Sequence, residues 1–423
     1  MLDIKTIREN IEKVKQAVKN KKINVDIDAL LEIDRKRREH LLGVEEMKAK
    51  KNKASLEIQN AKTKEEKEVI ILKMRELDGN NDNLSEKFQV IEQEFNNLLA
   101  QVPNIPFDNV PIGKDDSENK VLEQIGKPTK FDFPTKDYMQ LAESLDLIDT
   151  ERAAKMAGSR FGFIKREAAM LEFALINLAF DILIKKGFIP VIPPVMIKPE
   201  MAQAMGFLQQ TNKDEAYHLG QDDLYLTATS EQSLGTMRAN ETLKEKELPL
   251  RYAGFSTCFR REAGSYGKDT KGIFRVHQFD KIEMFSFCKP EDSKKEHKFL
   301  LQTERDLMDA LKLPYQIIHI CTGDLGTPAA EKFDIEAWLP SENRYRETHS
   351  TSNCTDFQAR SLNTRYQKKD GKTELVYTLN GTAFAIGRII IMILENYQQK
   401  DGSIKIPNAL KKYMGIDAIK SKK

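Results

Sequence analysis

The chain has 423 residues, in which 67 lysines and arginines nearly cancel 65 aspartates and glutamates, leaving a net charge of +2. That length admits two or three domains, and the balance excludes a global basic field, so any nucleic-acid site must be a local patch. The four cysteines (Cys258, Cys288, Cys321, Cys354) form no Cys-x-x-Cys, the start MLDIKTIREN is charged from its third residue, and the longest apolar run, 168–184, is broken by Glu172, Asn177 and Asp181. Together these argue against a disulfide framework, an ordinary zinc cage, a signal peptide and a membrane span, and they suit a reducing cytoplasm.

Ile4, Ile7, Ile11, Val14 and Val18 recur at helical spacing and predict a short amphipathic helix over residues 1–20. Two long helical stretches follow, about 27–59 and 66–101, joined by a polar turn near 60–64. In the second, Ile70, Met74, Leu77, Asn81, Leu84, Phe88, Ile91, Phe95 and Leu98 alternate steps of four and three. That is a coiled-coil seam with one polar position, Asn81. The first stretch offers a looser seam: Ile33, Val44, Met47, Ala54 and Ile58. The pair predicts an antiparallel two-helix arm about 45 Å long. Off the seam, the first helix is basic: Arg35, Lys36, Arg37 and Arg38, then Lys48, Lys50, Lys51 and Lys53. Such a run is ordinarily a solvated face. A long arm with little core and no catalytic residues is also suited to reaching a distant partner, with its basic clusters on a phosphate backbone.

The stretch VPNIPFDNVPIGKDDSENK (102–120) carries three prolines and several turn formers and marks a linker between an arm, 1–101, and a second domain, 121–423. Short helical signals occupy 131–153. Residues 168–184 are apolar nearly all round and, as a helix, must be buried on most sides. LYLTATSEQSL (224–234) is a strand end followed by a polar turn. A helix over 294–311, strands over 315–321 and 332–339, a turn at 322–328, a segment dense in hydroxyls and charge over 342–356, a strand at 375–379 and a helix over 382–399 complete the expected order.

The segment CFRREAGSYGKDTKGIFRVHQFDKIEMFSF (258–287) reads as a hairpin whose loop is broken by Gly264, Gly267 and Gly272. Arg260, Arg261, Glu262, Arg275, His277, Asp280, Lys281 and Glu283 are packed among its aromatic and aliphatic residues. Burying them is costly unless each finds a partner or a ligand. Two readings stay open: a surface hairpin laced with salt bridges, or a cradle in which arginine neutralises phosphate and phenylalanine stacks on a base.

FRREAGSYGKDTKGIFRVHQFDKIE resembles the second signature motif of class II aminoacyl-tRNA synthetases, and in its loop and return strand that of seryl-tRNA synthetases. GFIPVIPPVM (187–196) resembles the first motif and LNGTAFAIGR (379–388) the third, in the family's order and intervals over about 102–415. The resemblance implies an α+β fold: a class II catalytic domain, an antiparallel sheet flanked by helices, preceded by an antiparallel coiled-coil arm. It implies activation of L-serine by ATP and transfer to tRNA(Ser), and also to tRNA(Sec).

In that reading Arg260 and Arg388 are catalytic. Thr229, Ser230, Glu231, Arg260, Glu283, Asn380 and Thr382 bind serine. Arg260, Arg261, Glu262, Arg275, Val276, Phe279, Glu347, Thr348, His349, Ser350 and Arg388 bind ATP, with Mg2+ on Glu347 and Ser350 and no zinc. Phe279 stacks on adenine, although from the sequence alone a core aromatic is as good a reading. The arm embraces the tRNA, because the chain ends at Lys423 with no room for a C-terminal anticodon-binding domain. The first motif, with Pro193 and Pro194, implies a homodimer, and a cytoplasmic location goes with the family.

The sequence departs from the family pattern at Thr382-Ala383-Phe384, at Gln232-Ser233, and at His349 and Thr351. These changes bear on amino-acid specificity more than on adenylation. Two alternatives are a class II ligase for another small amino acid and a non-catalytic RNA-binding relative.

Overall fold

The computed structural model describes residues 1–208, 213–263 and 271–421, and within them not the side chains of 73 and 75–83. Gly264 and Gly267 of the hairpin loop, and the side chains of Leu77 and Asn81 of the seam, lie outside the described residues. The chain forms two compact units: residues 2–19 with 23–102, and residues 20–22 with Met1 and 103–423.

The first unit is helical. Asn10 interrupts the expected N-terminal helix, giving Ile4–Glu9 and Ile11–Asn20. The arm helices are Ile27–Asn60 and Lys64–Gln101, of 34 and 38 residues, so each runs for about 50 Å. Asp26 caps the first, accepting from the amides of Asp28 and Ala29. Thr63 and Glu66 close a capping box at the start of the second, satisfying two amides that helix geometry orphans. The seam residues Ile33, Val44, Met47, Ala54 and Ile58, and on the other helix Ile70, Met74, Leu84, Phe88, Ile91, Phe95 and Leu98, are all buried or half-buried.

Charge on the arm sorts into two kinds. Asp34 is fully buried and collects Arg8, Arg37 and Arg38 at 2.7, 3.9 and 3.3 Å. Arg37 also lies 4.4 Å over the Phe95 ring. Arg35 is shared by Glu32 and Glu39, both at 2.7 Å. Among the described residues no carboxylate pairs with Lys48, Lys50 or Lys53, and all three are exposed. The first basic cluster is therefore largely neutralised within the arm, and Arg37 belongs to its seam.

The second unit is built on an eight-stranded sheet. Its order across the sheet is Lys120–Ile125, Tyr315–His319, Glu331–Leu339, Arg344–Asn353, Tyr377–Ala385, Gln278–Cys288, Leu250–Phe259 and Ile189–Val191. Every neighbour pair is antiparallel except the last. One face carries the main apolar core, contributed by helices Arg166–Lys185, Ser293–Leu311 and Ile386–Asn396.

The expected helix over 382–399 is corrected: residues 380–385 continue the strand, and the helix begins at Ile386. Asn380 to Ala385 is uncommitted in propensity, and pairing decides its state: with Gln278–Cys288 along its length, and at Asn380 and Gly381 with Arg344–Asn353 as well. The stretch 168–184 is covered on most sides, as expected, but keeps an exposed strip. Met170, Phe173 and Ile184 of that helix are 51, 60 and 53 % exposed, and Ile189 and Ile192 beside it are 47 and 84 % exposed.

Candidate active site

The polar face of the sheet forms the floor of a cleft of about 320 Å³. The hairpin strands Leu250–Phe259 and Gln278–Cys288 pair in register, with Phe279 opposite Cys258 and Glu283 opposite Gly254. Alternation then places Phe279, Lys281 and Glu283 on the cleft side. Glu231 comes from the short helix Ser230–Thr236, and Arg388 from the first turn of Ile386–Asn396.

Two β-bulges set which side chains face the cleft. Ile282 pairs with Phe384 but Glu283 with Thr382, so Ala383 is an extra residue. Asn380 and Thr382 line the cleft, whereas Phe384 turns into the core with no exposure. Ile335 pairs with His349 but Glu336 with Glu347, so Thr348 is extra. Glu347, Ser350 and Ser352 face the cleft, while His349 and Thr351 point the other way. A bulge thus reverses the facing of every residue beyond it.

Several sequence-predicted residues are therefore not brought to the cleft. His349 is buried against Phe384, its ring 5.9 Å away, and burial lowers it to about 3, so it is neutral. Ser230 turns its hydroxyl onto the Gly254 carbonyl at 3.0 Å. Arg261 is exposed and lies 5.7 Å over the Tyr217 ring. Phe384, a departure from the family pattern, is likewise outside the cavity, and Thr382 is the departure that lines it. The remaining expected residues, Thr229, Glu231, Arg260, Glu262, Arg275, Val276, Phe279, Glu283, Glu347, Thr348, Ser350, Asn380, Thr382 and Arg388, all line one cavity.

Its electrostatics alternate in sign. Arg275 pairs with Glu262 at 2.6 Å, Lys281 with Glu283 at 2.5 Å, and Arg388 with Glu347 at 3.3 Å. Lys332 adds a further cation, 3.5 Å from Asp334. Arg260 donates from Nε to the Ala228 carbonyl at 3.3 Å, and its guanidinium lies 5.2 Å over Phe279. Phe274 carries Arg346 and Arg388 over its ring at 3.9 and 4.9 Å.

Glu231 accepts from Gln358 at 2.8 Å and from Asn380 at 3.0 Å. Burial, with Glu283 next, raises it to about 7. Burial also pushes Glu347 up, but Arg388, Lys332 and Arg260 outweigh it and hold this 48 % exposed carboxylate down at about 2. Beneath the floor, both carboxyl oxygens of Glu304 are buried without a partner among the described residues. Burial, Asp334 and Glu283 hold it well above the usual range, so it is neutral.

Sequence reading missed Lys332, Asp334, Ser352, Phe274, Arg346 and Gln358 as contributors. Lys332 and Asp334 were legible only as a strand, and Gln358 carries no motif. Lys281 had a signal, since it sat in the charged hairpin.

The chemistry on offer is a cation-rich cleft with an aromatic platform at one part and paired acids and amides at another. It suits a nucleotide phosphate chain beside a small zwitterion. Among the described residues no group of three or more His, Cys, Asp or Glu is placed to hold a metal ion alone.

Comparison with known proteins gives concordant findings. Residues 1–106 match the seryl-tRNA synthetase N-terminal domain, and residues 215–397 the tRNA synthetase class II core domain shared by the G, H, P, S and T enzymes. The chain is 44 % identical over 421 residues to the serine–tRNA ligase of Thermobifida fusca, covering 99 % of each. It is 43 % identical to that of Dictyoglomus turgidum, covering 100 % of each. Among solved structures it superposes on the seryl-tRNA synthetase of Pyrococcus horikoshii complexed with ATP, with a TM-score of 0.90, 39 % identity and all of both chains covered. Matched over its whole length, with the arm and the class II core both present, the chain belongs to the seryl-tRNA synthetase family.

Proposed function

We propose that this protein activates L-serine with ATP and transfers the seryl group to tRNA(Ser), and to tRNA(Sec) as well. The observation that carries the reading is the convergence in one cleft of Arg260, Phe279 and Glu283 from the second motif, Arg388 from the third, and Glu347 from the strand Arg344–Asn353. Family membership and the ATP-bound relative support it.

In the first step a serine carboxylate oxygen attacks the α-phosphorus of ATP, and pyrophosphate leaves. Such a transfer needs alignment and charge neutralisation more than a protein nucleophile. Arg260, seated on Phe279, is the group assigned to bridge the serine carboxylate and the α-phosphate. Arg275 and Arg388, paired with Glu262 and Glu347, are assigned to ATP, with Glu262 at the adenine amino group. Glu231 and Glu283, with Thr229, Asn380 and Thr382, are assigned to serine. A site built to pair a hydroxyl rejects alanine because its polar groups are left unpaired. In the second step the terminal ribose hydroxyl of tRNA takes the seryl group.

Glu347 is charged, 48 % exposed and open to the cleft beside Ser350. These two fit Mg2+ held jointly with phosphate oxygens, as one carboxylate and one hydroxyl suit an ion that keeps substrate and water ligands. When bound, that ion neutralises phosphate charge.

The domain assignment is residues 1–101 as a tRNA-binding arm, 102–120 as a linker and 121–423 as the catalytic domain. On the arm, the case for phosphate contact is now stronger for Lys48, Lys50 and Lys53 than for Arg35, Lys36, Arg37 and Arg38, whose acids lie within reach. The exposed apolar residues Met170, Phe173, Ile189 and Ile192 support a homodimer through the first-motif face. No helix among the described residues is long and apolar enough to cross a membrane, and a cytoplasmic location is proposed with the function.

Arg260→Ala is expected to lower serine-dependent ATP–pyrophosphate exchange about a thousandfold with thermal stability retained; near-normal exchange would remove its assigned role. Reversing Lys48, Lys50 and Lys53 together to Glu is expected to raise the KM for tRNA at least about tenfold and flatten its salt dependence. Exchange without tRNA stays unchanged, and unimpaired charging by that variant would undo the case for these lysines. Light scattering is expected to give twice the chain mass for the wild type and the chain mass for Ile192→Asp; a monomeric wild type would refute the dimer.

A further inference from the structure

One wall of the cleft is a loop, residues 325–329, of which Leu325, Gly326, Pro328 and Ala329 line the cavity. Four consecutive carbonyls of this loop, Gly326 to Ala329, are taken up by two residues. Lys21 is 5 % exposed, and its Nζ donates to the carbonyls of Gly326, Thr327 and Ala329 at 2.8, 3.2 and 2.6 Å. Burial lowers Lys21 to about 7; in its ammonium form its three donors match these three acceptors. Asn104 is 3 % exposed. Its amide donates to Thr327 at 2.9 Å, and its Nδ2 to the carbonyls of Pro328 and Cys354 at 2.8 and 2.9 Å.

The positions of these two residues in the chain are the telling feature. The chain passes into the arm unit after residue 22 and returns at residue 103. Lys21 and Asn104 therefore sit at the two crossings, within the catalytic unit, and both grip the same wall. Asn104 reaches the serine side as well: Cys354 lines the cleft, and its Sγ lies 3.8 Å from the Asn380 Nδ2 that also donates to Glu231. The carbonyls of Thr327 and Ala329 are buried and must be satisfied, and here the donors are held by the roots of the arm.

We propose that Lys21 and Asn104 are positioning residues that set the amino-acid end of the cleft from the two roots of the arm. Neither lines the cavity; both act through residues 325–329 and Cys354. The inference rests on the serine-activating reading of the site.

The test uses the full chain with Lys21→Met, which keeps most of the stem and removes the donors, and with Asn104→Leu. In serine-dependent ATP–pyrophosphate exchange each variant is expected to raise the KM for serine about tenfold, with kcat and the KM for ATP changed less than about twofold. Because both grip one wall, the double variant is expected to lose less than the product of the single effects. A lowered melting temperature with an unchanged serine KM would make the residues merely structural and overturn the proposal. So would equal losses for serine and ATP. If Lys21→Met does not fold, Lys21→Arg, which keeps donors in a different geometry, is expected to show the same serine-selective shift at smaller size, and no shift would count against the proposal. Wild-type exchange separates the two levels: its absence sinks the serine-activating reading, whereas its presence with unaltered variants sinks only the role of the wall.

Discussion

The structure depends on burying opposite charges on one face of a sheet. Lys281 and Glu283 are 8 and 3 % exposed and 2.5 Å apart. Removing one partner of such a pair costs about 3–5 kcal/mol, yet replacing both by apolar side chains is often neutral or stabilising. Stability alone therefore does not account for the pair. The same holds along the cleft, where Arg275 faces Glu262 and Arg388 faces Glu347. Each arginine is desolvated in part and pre-aimed, and a phosphate or carboxylate can take over its pairing at little reorganisation. The opposite face of the sheet is apolar and packed by three helices, so the polar face is backed by a close-packed core.

Bulges convert that sheet into a site. Without the extra residue at Thr348, strict alternation would put His349 on the same face as Glu347. Without Ala383, Phe384 would share a face with Thr382. The two insertions send the imidazole and the phenyl ring into the core, where they meet each other. The departures from the family pattern that face the ligand are thereby reduced to Thr382 and its contact with Glu283 at 3.5 Å.

What the sequence disclosed follows from the range of each interaction. The arm was legible because its seam is local and periodic, and the structure extends it only from 66 back to Lys64 and from 59 on to Asn60. The hairpin was legible because charge among aromatics is an unusual composition. Thr382 to Ala385 was misread as the start of a helix because its state is set by a strand that lies about 100 residues away in sequence. Ser230 was misplaced because helix capping puts Thr229 and Glu231 on the cleft side and turns Ser230 behind them. Lys21 and Asn104 carry no signal at all in the sequence, since their partners are backbone carbonyls more than 200 residues away.

The central claim is that this cleft activates serine. ATP–pyrophosphate exchange with serine, threonine, alanine and glycine side by side, without tRNA, tests it most directly. Exchange with serine and background levels with the other three are expected, because alanine and glycine bring no hydroxyl to the site and threonine must fit an added methyl into it. Exchange led by another amino acid, or none with any of the four, would contradict it.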